Sequence, residues 1–183
     1  MSKKISSILI LQIILQLLFS CCRSVQYYDY SQMEVITPDE QISITEELLI
    51  ELKPLDLRFI GYKTGQFGFS FSMAINCDEG WNGMKFPITS IEVISNANFD
   101  SIHQAGDSMN DYFLFKRFLS SDQFEYISIE DLLTDAPEGV NVDHVDLILQ
   151  KRPNLARTHQ FTITLTKSNG TTISLETNPI SWE

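Results

Sequence analysis

Ser108 comes first among residues able to do chemistry, because Gly106-Asp107-Ser108-Met109 puts a hydroxyl beside an acid on a small-residue turn. A serine becomes a nucleophile only with a histidine base in hydrogen-bond reach and an acid that orients the histidine. The histidines are His103, His144 and His159, well separated along the chain. Metal binding is the second chemistry. Asp107, Asn110 and Asp111, or Asp135, Glu138, Asn141 and Asp143, offer hard oxygen atoms to calcium. Neither set has the alternate-position acids, central glycine and terminal glutamate of an EF-hand loop. The histidines have no nearby cysteine with which to build a zinc site. Both acidic sets therefore read as solvated loops, and no metal or other cofactor is expected. For binding, the candidate is Trp81, in a loop with Gly80, Asn82 and Gly83. An exposed indole there would stack on a sugar or peptide, whereas a ring folded onto the core would not.

The serine block resembles the Gly-Asp-Ser-Leu nucleophile block of a hydrolase family. That resemblance implies a place at the first strand of an α/β fold and a base in an Asp-x-x-His pattern. Here the block lies mid-chain among strand patterns, His144 follows Asn141 and Asp143 at another spacing, and His159 has no such acid. A shaped loop explains the segment better. Ala105-Gly106-Asp107 has turn chemistry, Asp and Asn side chains bond neighbouring amides, and Tyr112-Phe113 returns to the core. The expectation is a chain that is not an enzyme, with hydrolysis through Ser108 the least favoured reading.

Chemistry of a different kind is written at the start. Lys3 and Lys4 precede an uncharged apolar run from Ile5 to Phe19, the layout of a secretory signal peptide. The run is shorter than the roughly 20 apolar residues that span a bilayer and is diluted by Ser6, Ser7, Gln12 and Gln16. It ends in Leu18-Phe19-Ser20-Cys21, which resembles the lipobox of bacterial lipoproteins. That resemblance implies removal of residues 1–20 and acylation of Cys21. Several acyl chains would anchor the chain firmly, since each buried CH₂ contributes about 0.8 kcal/mol and one chain alone holds only marginally.

The 13 basic and 24 acidic residues give a formal charge of −11. Loss of Lys3 and Lys4 with the signal leaves 11 basic residues against 24 acidic, or −13. Such a chain is not built for nucleic acid, whose phosphates demand Lys and Arg clusters, nor for docking on anionic lipid through basic patches. Membrane association rests on the lipid anchor. With Cys21 acylated, Cys22 and Cys77 remain, too few for a disulfide scaffold.

The elements that must position these residues are mostly strands. Arg23 to Glu40 is polar, carries Tyr27, Tyr28 and Tyr30, lacks a sustained period and reads as a tether over 21–40. Residues 42–53 are ambiguous: Ile42 and Ile44 alternate, while Leu48, Leu49 and Leu52 after Thr45 would suit a short helix ending before Pro54. Leu55, Leu57 and Phe59 alternate as a strand would. Phe67, Phe69, Phe71, Met73 and Ile75 alternate strictly with small residues. Ile88 to Ser95 is β-branched, and Val145, Leu147 and Leu149 alternate. Ser128 with Asp131 resembles a capping box opening a short helix before Pro137. Near the C-terminus, a three-residue loop Ser168-Asn169-Gly170 sets Leu165 against Ile173 and Ile163 against Leu175, with Gly170 at positive φ. The fold predicted is mainly β: one immunoglobulin-like antiparallel β-sandwich, a Greek key over 41–183, with one or two short helices.

From Ala74 onward the chain resembles an uncharacterised family of Bacteroidetes lipoproteins. The resemblance rests on Ala74-Ile75-Asn76-Cys77, Ile91-Glu92-Val93-Ile94-Ser95, Asn98-Phe99-Asp100 and His103 through Phe113. It implies one exported sandwich domain held at the outer membrane and assigns no activity. Acidic residues after the lipidated cysteine are associated with surface display in that phylum; Cys22-Arg23-Ser24-Val25 has none, so periplasmic and surface faces both stay open. Asp100-Ser101-Ile102 and Asp107-Ser108-Met109 resemble sites of O-glycosylation in such proteins, with Ser101 and Ser108 the acceptors. The expected function is a lipid-anchored, non-catalytic accessory or interaction protein of the envelope, with a protein partner or a glycan as its ligand. A carbohydrate- or peptide-binding module is the alternative.

Overall fold

The computed structural model describes residues 27–38, 41–43, 47–61, 80, 82–120 and 123–183. The signal peptide expected over 1–20, Cys21, Cys22, the strand expected over 67–75, Cys77 and Trp81 lie outside the described residues. Contacts divide the chain into two units, Met1–Asp29 with Arg58–Lys85 and Tyr30–Leu57 with Phe86–Glu183. In the first, β1 (Tyr27–Asp29) pairs antiparallel with a strand at Arg58–Ile60.

The second unit holds the remaining elements. In chain order they are β2 (Met33–Ile36), β3 (Gln41–Ile42), β4 (Leu48–Pro54), then, after β5 at Arg58–Ile60, β6 (Ile88–Ser95), β7 (Phe113–Ser120), β8 (Gln123–Ser128), helix α1 (Ile129–Asp135), β9 (Val145–Leu149), β10 (Thr158–His159), β11 (Phe161–Lys167), β12 (Thr172–Glu176) and β13 (Ile180–Trp182). A five-stranded sheet runs β2-β4-β9-β7-β8, and two three-stranded sheets run β12-β11-β6 and β10-β13-β3. The protein is mainly β, as its alternation of apolar and polar residues demands.

Period-2 burial builds the core. Leu48, Ile50 and Leu52 of β4 point inward with Val145, Leu147 and Leu149 of β9 and with Phe113 and Phe115 of β7. Phe161, Ile163 and Leu165 of β11 are buried beside Ile91 and Val93 of β6. Phe113 and Phe161 join the two sheets edge to face at 5.5 Å between centroids. Burying such a ring contributes up to about 3 kcal/mol.

Local expectations fare unevenly. The C-terminal hairpin has the expected register, Leu165 opposite Ile173 and Ile163 opposite Leu175, with Gly170 at φ 82°. Ser128 caps α1, its hydroxyl accepting from the Asp131 amide at 3.0 Å. Residues 48–54 form a strand and no helix, because β2 and β9 supply partners along both edges. Leu55 and Leu57 do not continue into a strand; they stand 58% and 41% exposed around a turn where Asp56 accepts from the Ser31 and Gln32 amides. The tether over 21–40 also needs correction. Its later part is β1 and β2, and Tyr30 is buried with its hydroxyl donating to the Val142 carbonyl and its carbonyl accepting from buried Lys167. Nor is the strand set wholly antiparallel: β3 runs parallel to β13, with Gln41 beside Ser181 and Ile42 beside Trp182. A parallel pair needs a long crossover, here supplied by most of the unit.

Candidate functional site

With Leu48, Ile50 and Leu52 inward, alternation turns Leu49, Glu51 and Lys53 to the other face of the five-stranded sheet. On β9 the same rule turns out Asp146 and Ile148, with His144 just ahead on the face of Asp146. On β7 it turns out Leu114 and Lys116. Register aligns Glu51 with Asp146, Leu49 with Ile148, and Lys116 with Tyr126. The outer face thus carries a polar row of Glu51, Asp146 and Lys116 beside an apolar row of Leu49, Ile148 and Leu114.

The polar row is half-buried at Glu51 and Lys116 and buried at Asp146. Asp146 is only 4% exposed. Lys116 Nζ lies 3.9 Å from its Oδ2, and His144 Nε2 lies 2.6 Å from its Oδ1. Close as it is, the His144 approach is misaligned, and Oδ1 is a buried oxygen without a hydrogen bond. Glu51 sits 2.8 Å from Lys53 Nζ, and the hydrogen bond from Lys53 holds its carboxyl below the ordinary range. Among the described residues, Glu51, His144 and Asp146 form a convergent set, with one ligand atom from each lying within 4.8 Å of the others.

Beside this row lies an aromatic pair. Phe124 and Tyr126 alternate onto the same face of β8, 49% and 47% exposed, with ring centroids 5.4 Å apart and planes at 73°. Lys116 Nζ sits 4.9 Å from the Phe124 centroid, within range of a cation–π contact. Tyr126, Leu114 and Ile148 line a shallow depression of about 250 Å³, rimmed by Glu47 and Gln150.

The serine block does different work. Gly106 N donates to Ser95 O, Ser108 bridges Ile94, and Met109 N donates to Val93 O. Asn110 then accepts from the Val93 amide at 2.9 Å and donates to the Ile91 carbonyl at 2.7 Å. The segment covers the edge of β6 that β11 leaves unpaired, as an exposed strand edge requires. Ser108 is exposed, and its Oγ accepts from the Asn110 amide at 3.5 Å. Among the described residues no histidine bonds it.

All three histidines are otherwise engaged. His103 lies between Asp111, 3.0 Å from Nε2, and Asp100, 3.3 Å from Nδ1. Asp100 also accepts from the Tyr112 hydroxyl and from the Ile102 and His103 amides. The Tyr112 bond, then the His103 amide, hold its carboxyl well below the usual range. His159 is buried 2.8 Å from the hydroxyl of buried Ser95, with Nε2 against the Ala156 carbonyl. A carbonyl only accepts, so Nε2 carries the proton and Nδ1 accepts from Ser95. Burial pushes His159 below its ordinary pKa. This pair has the atoms of a serine–base dyad but no route for a substrate, both residues being at most 1% exposed.

The other sequence candidates disperse. Asp107 accepts from the Gln104 amide, Asp111 faces His103, and Asn110 clasps β6, so the first oxygen set is spent on structure. Asp135, Glu138, Asn141 and Asp143 are exposed. Ser101 and Ser108 are both exposed. Sequence reasoning missed Phe124, Tyr126 and the set of Glu51, His144 and Asp146. One signal was present: the alternation of Val145, Leu147 and Leu149 forces Asp146 and His144 onto one opposite face. No helix among the described residues is long and apolar enough to cross a membrane. Neither a family model, nor a curated protein, nor a solved structure matches the chain.

Proposed function

We propose that this is an exported, lipid-anchored, non-catalytic interaction protein of the bacterial envelope, contacting its partner through the outer face of the five-stranded sheet. The observation that carries the reading is the half-exposed Phe124–Tyr126 pair beside the Lys116–Asp146 row. Exposed aromatics are what interfaces enrich, with polar groups such as this row confined to the rim. The anchor on Cys21 and the outer-membrane location belong to the same proposal, supported by the lipobox and by the resemblance to Bacteroidetes lipoproteins; the periplasmic and surface faces both fit. An immunoglobulin-like Greek key is the proposed architecture. Its support is strand order: β2-β4-β9-β7 follows A-B-E-D and β12-β11-β6 follows G-F-C, with β8 as an added strand.

Two variants test this. A clickable fatty acid fed to the cells should label the unaltered chain and not Cys21→Ala, and equal labelling of the two refutes the anchor. Phe124→Ser with Tyr126→Ser should keep the anchor and lose the partner that the unaltered chain cross-links in native membranes. Equal capture by both chains refutes the surface.

The same aromatic pair favours a second reading, a glycan or peptide ligand seated in the depression beside Tyr126. A sugar needs one ring face, and the tilted pair presents a face and an edge. Glycan-array binding that disappears with Tyr126→Ala would favour it, and an array without signal would remove the glycan.

A further inference from the structure

We infer that Glu51, His144 and Asp146 form a binding site for a zinc-type dication on the five-stranded sheet. The site stands independently of the interaction reading above. Its ligands come from paired strands: Glu51 of β4 opposite Asp146 of β9, with His144 two residues before Asp146. One atom from each already lies within 4.8 Å of the others. On a tetrahedral ion with bonds of roughly 2.1 Å, donor atoms sit about 3.4 Å apart, so a small rotation of Glu51 and a slight opening of the His144–Asp146 contact complete the set.

A second observation points to an ion. Asp146 is 4% exposed, and its Oδ1 faces the cluster without a hydrogen bond. The His144 ring nitrogen stands 2.6 Å away but is not aligned with that oxygen. An ion seated between the two groups would give Asp146 Oδ1 the partner that this contact does not. Buried carboxylate oxygens are ordinarily satisfied, and among the described residues this one is the exception.

The neighbouring cations fit the arrangement. Lys116, 3.9 Å from Asp146 Oδ2, pairs with the other carboxylate oxygen by charge and leaves Oδ1 to the cluster. Lys53 is the competitor, 2.8 Å from Glu51 with 43% of its side chain exposed. Exposed ion pairs are weak, so a dication can displace it. One imidazole with two carboxylates selects zinc over calcium, which takes six to eight oxygen ligands. It also selects zinc over manganese by intrinsic affinity. The three residues leave a fourth position for water.

The test is calorimetric titration of the full chain, thiols alkylated and metal stripped with a chelator, with Zn²⁺, Ca²⁺ and Mg²⁺ alone. One zinc per chain should bind, with calcium and magnesium at least a hundredfold weaker. His144→Ala and Asp146→Asn should each weaken zinc at least tenfold, whereas His103→Ala should leave it unchanged. Lys53→Met, at a half-exposed position, should tighten zinc about threefold or more by freeing Glu51. No stoichiometric zinc overturns the site, as does equal binding by His144→Ala. Loss with His103→Ala in place of His144→Ala would move the metal to another histidine and overturn it too. Should Asp146→Asn fail to fold, Lys53→Met decides: unchanged affinity removes the three-residue set.

Discussion

Asn110→Ala and Ser108→Ala separate the two roles open to the Gly106–Asn110 segment. If the segment clasps the edge of β6, Asn110 is its side-chain attachment, through bonds of 2.9 Å from the Val93 amide and 2.7 Å to the Ile91 carbonyl. Each hydrogen bond contributes about 1 kcal/mol net, and a part-buried amide left without a partner adds to the loss. Asn110→Ala should therefore cost about 2–3 kcal/mol. Asn110→Asp should cost about as much, since a carboxylate still accepts from Val93 but faces the Ile91 carbonyl without a proton to donate. Ser108→Ala should stay within about 0.5 kcal/mol, because the exposed hydroxyl makes only a 3.5 Å contact with the Asn110 amide. Urea unfolding is the assay. With an m-value near 2 kcal/mol/M, Asn110→Ala should lower the midpoint by about 1 M at unchanged m. Uncovering the strand edge should also raise self-association on size-exclusion chromatography. Hydrolysis of a nitrophenyl ester should be the same with and without Ser108. A Ser108-dependent rate, or a Ser108→Ala cost equal to that of Asn110→Ala, would refute the clasp.

Three further outcomes are expected. Gly139, at φ 101°, would place a Cβ 2.8 Å from Pro87 Cβ and 2.9 Å from the Ile88 carbonyl, whereas Gly106, at φ 89°, has open space. Gly106→Ala should cost about 1–2 kcal/mol from backbone strain alone, and Gly139→Ala roughly 1–3 kcal/mol more from the clash; equal midpoints in urea would remove the clash. His159 is kept neutral by burial, so the unfolded chain binds a proton that the native chain refuses, and stability should fall as pH drops below about 6.5 toward the lower native value. His159→Phe with Ser95→Ala should flatten that slope between pH 7 and 5, and an unchanged slope would place the titration elsewhere. Native chain glycosylated at Ser101 and Ser108 should lose mass beyond the two oxygens when both become alanine; identical glycan-free masses would end that proposal.

What was legible in the sequence was local. The hairpin register followed from side-chain type alone, because only one loop length puts Leu165 on Ile173 and Thr164 on Ser174. The Ser128 cap was legible because donor and acceptor lie three residues apart. Pairing across long separations was not. Tyr27–Asp29 reads as tether because two tyrosines and an aspartate have no period, and only their partner at Arg58–Ile60 makes them a strand. Leu55 and Leu57 show the reverse error. Their alternation is genuine, but the Asp56 turn spends the backbone elsewhere, and spacing alone does not show which amides a carboxylate will accept from.

The site follows the same division. Gly-Asp-Ser-x-Asn attracts a catalytic reading because the residues that free a nucleophile's backbone also build a tight loop: glycine for positive φ, short polar side chains for nearby amides. Which use is made depends on what stands opposite, and here it is the bare edge of β6, not a histidine. Glu51, His144 and Asp146 carry no such local signature. Glu51 and His144 lie 93 positions apart in the chain, and only the β4–β9 register closes the gap. Local spacing around His144 directs attention to Asn141 and Asp143, but the period of a strand picks Asp146, two residues on and on the same face. For this chain the informative sequence question about a histidine is therefore which face its strand presents, asked before which acid lies nearest.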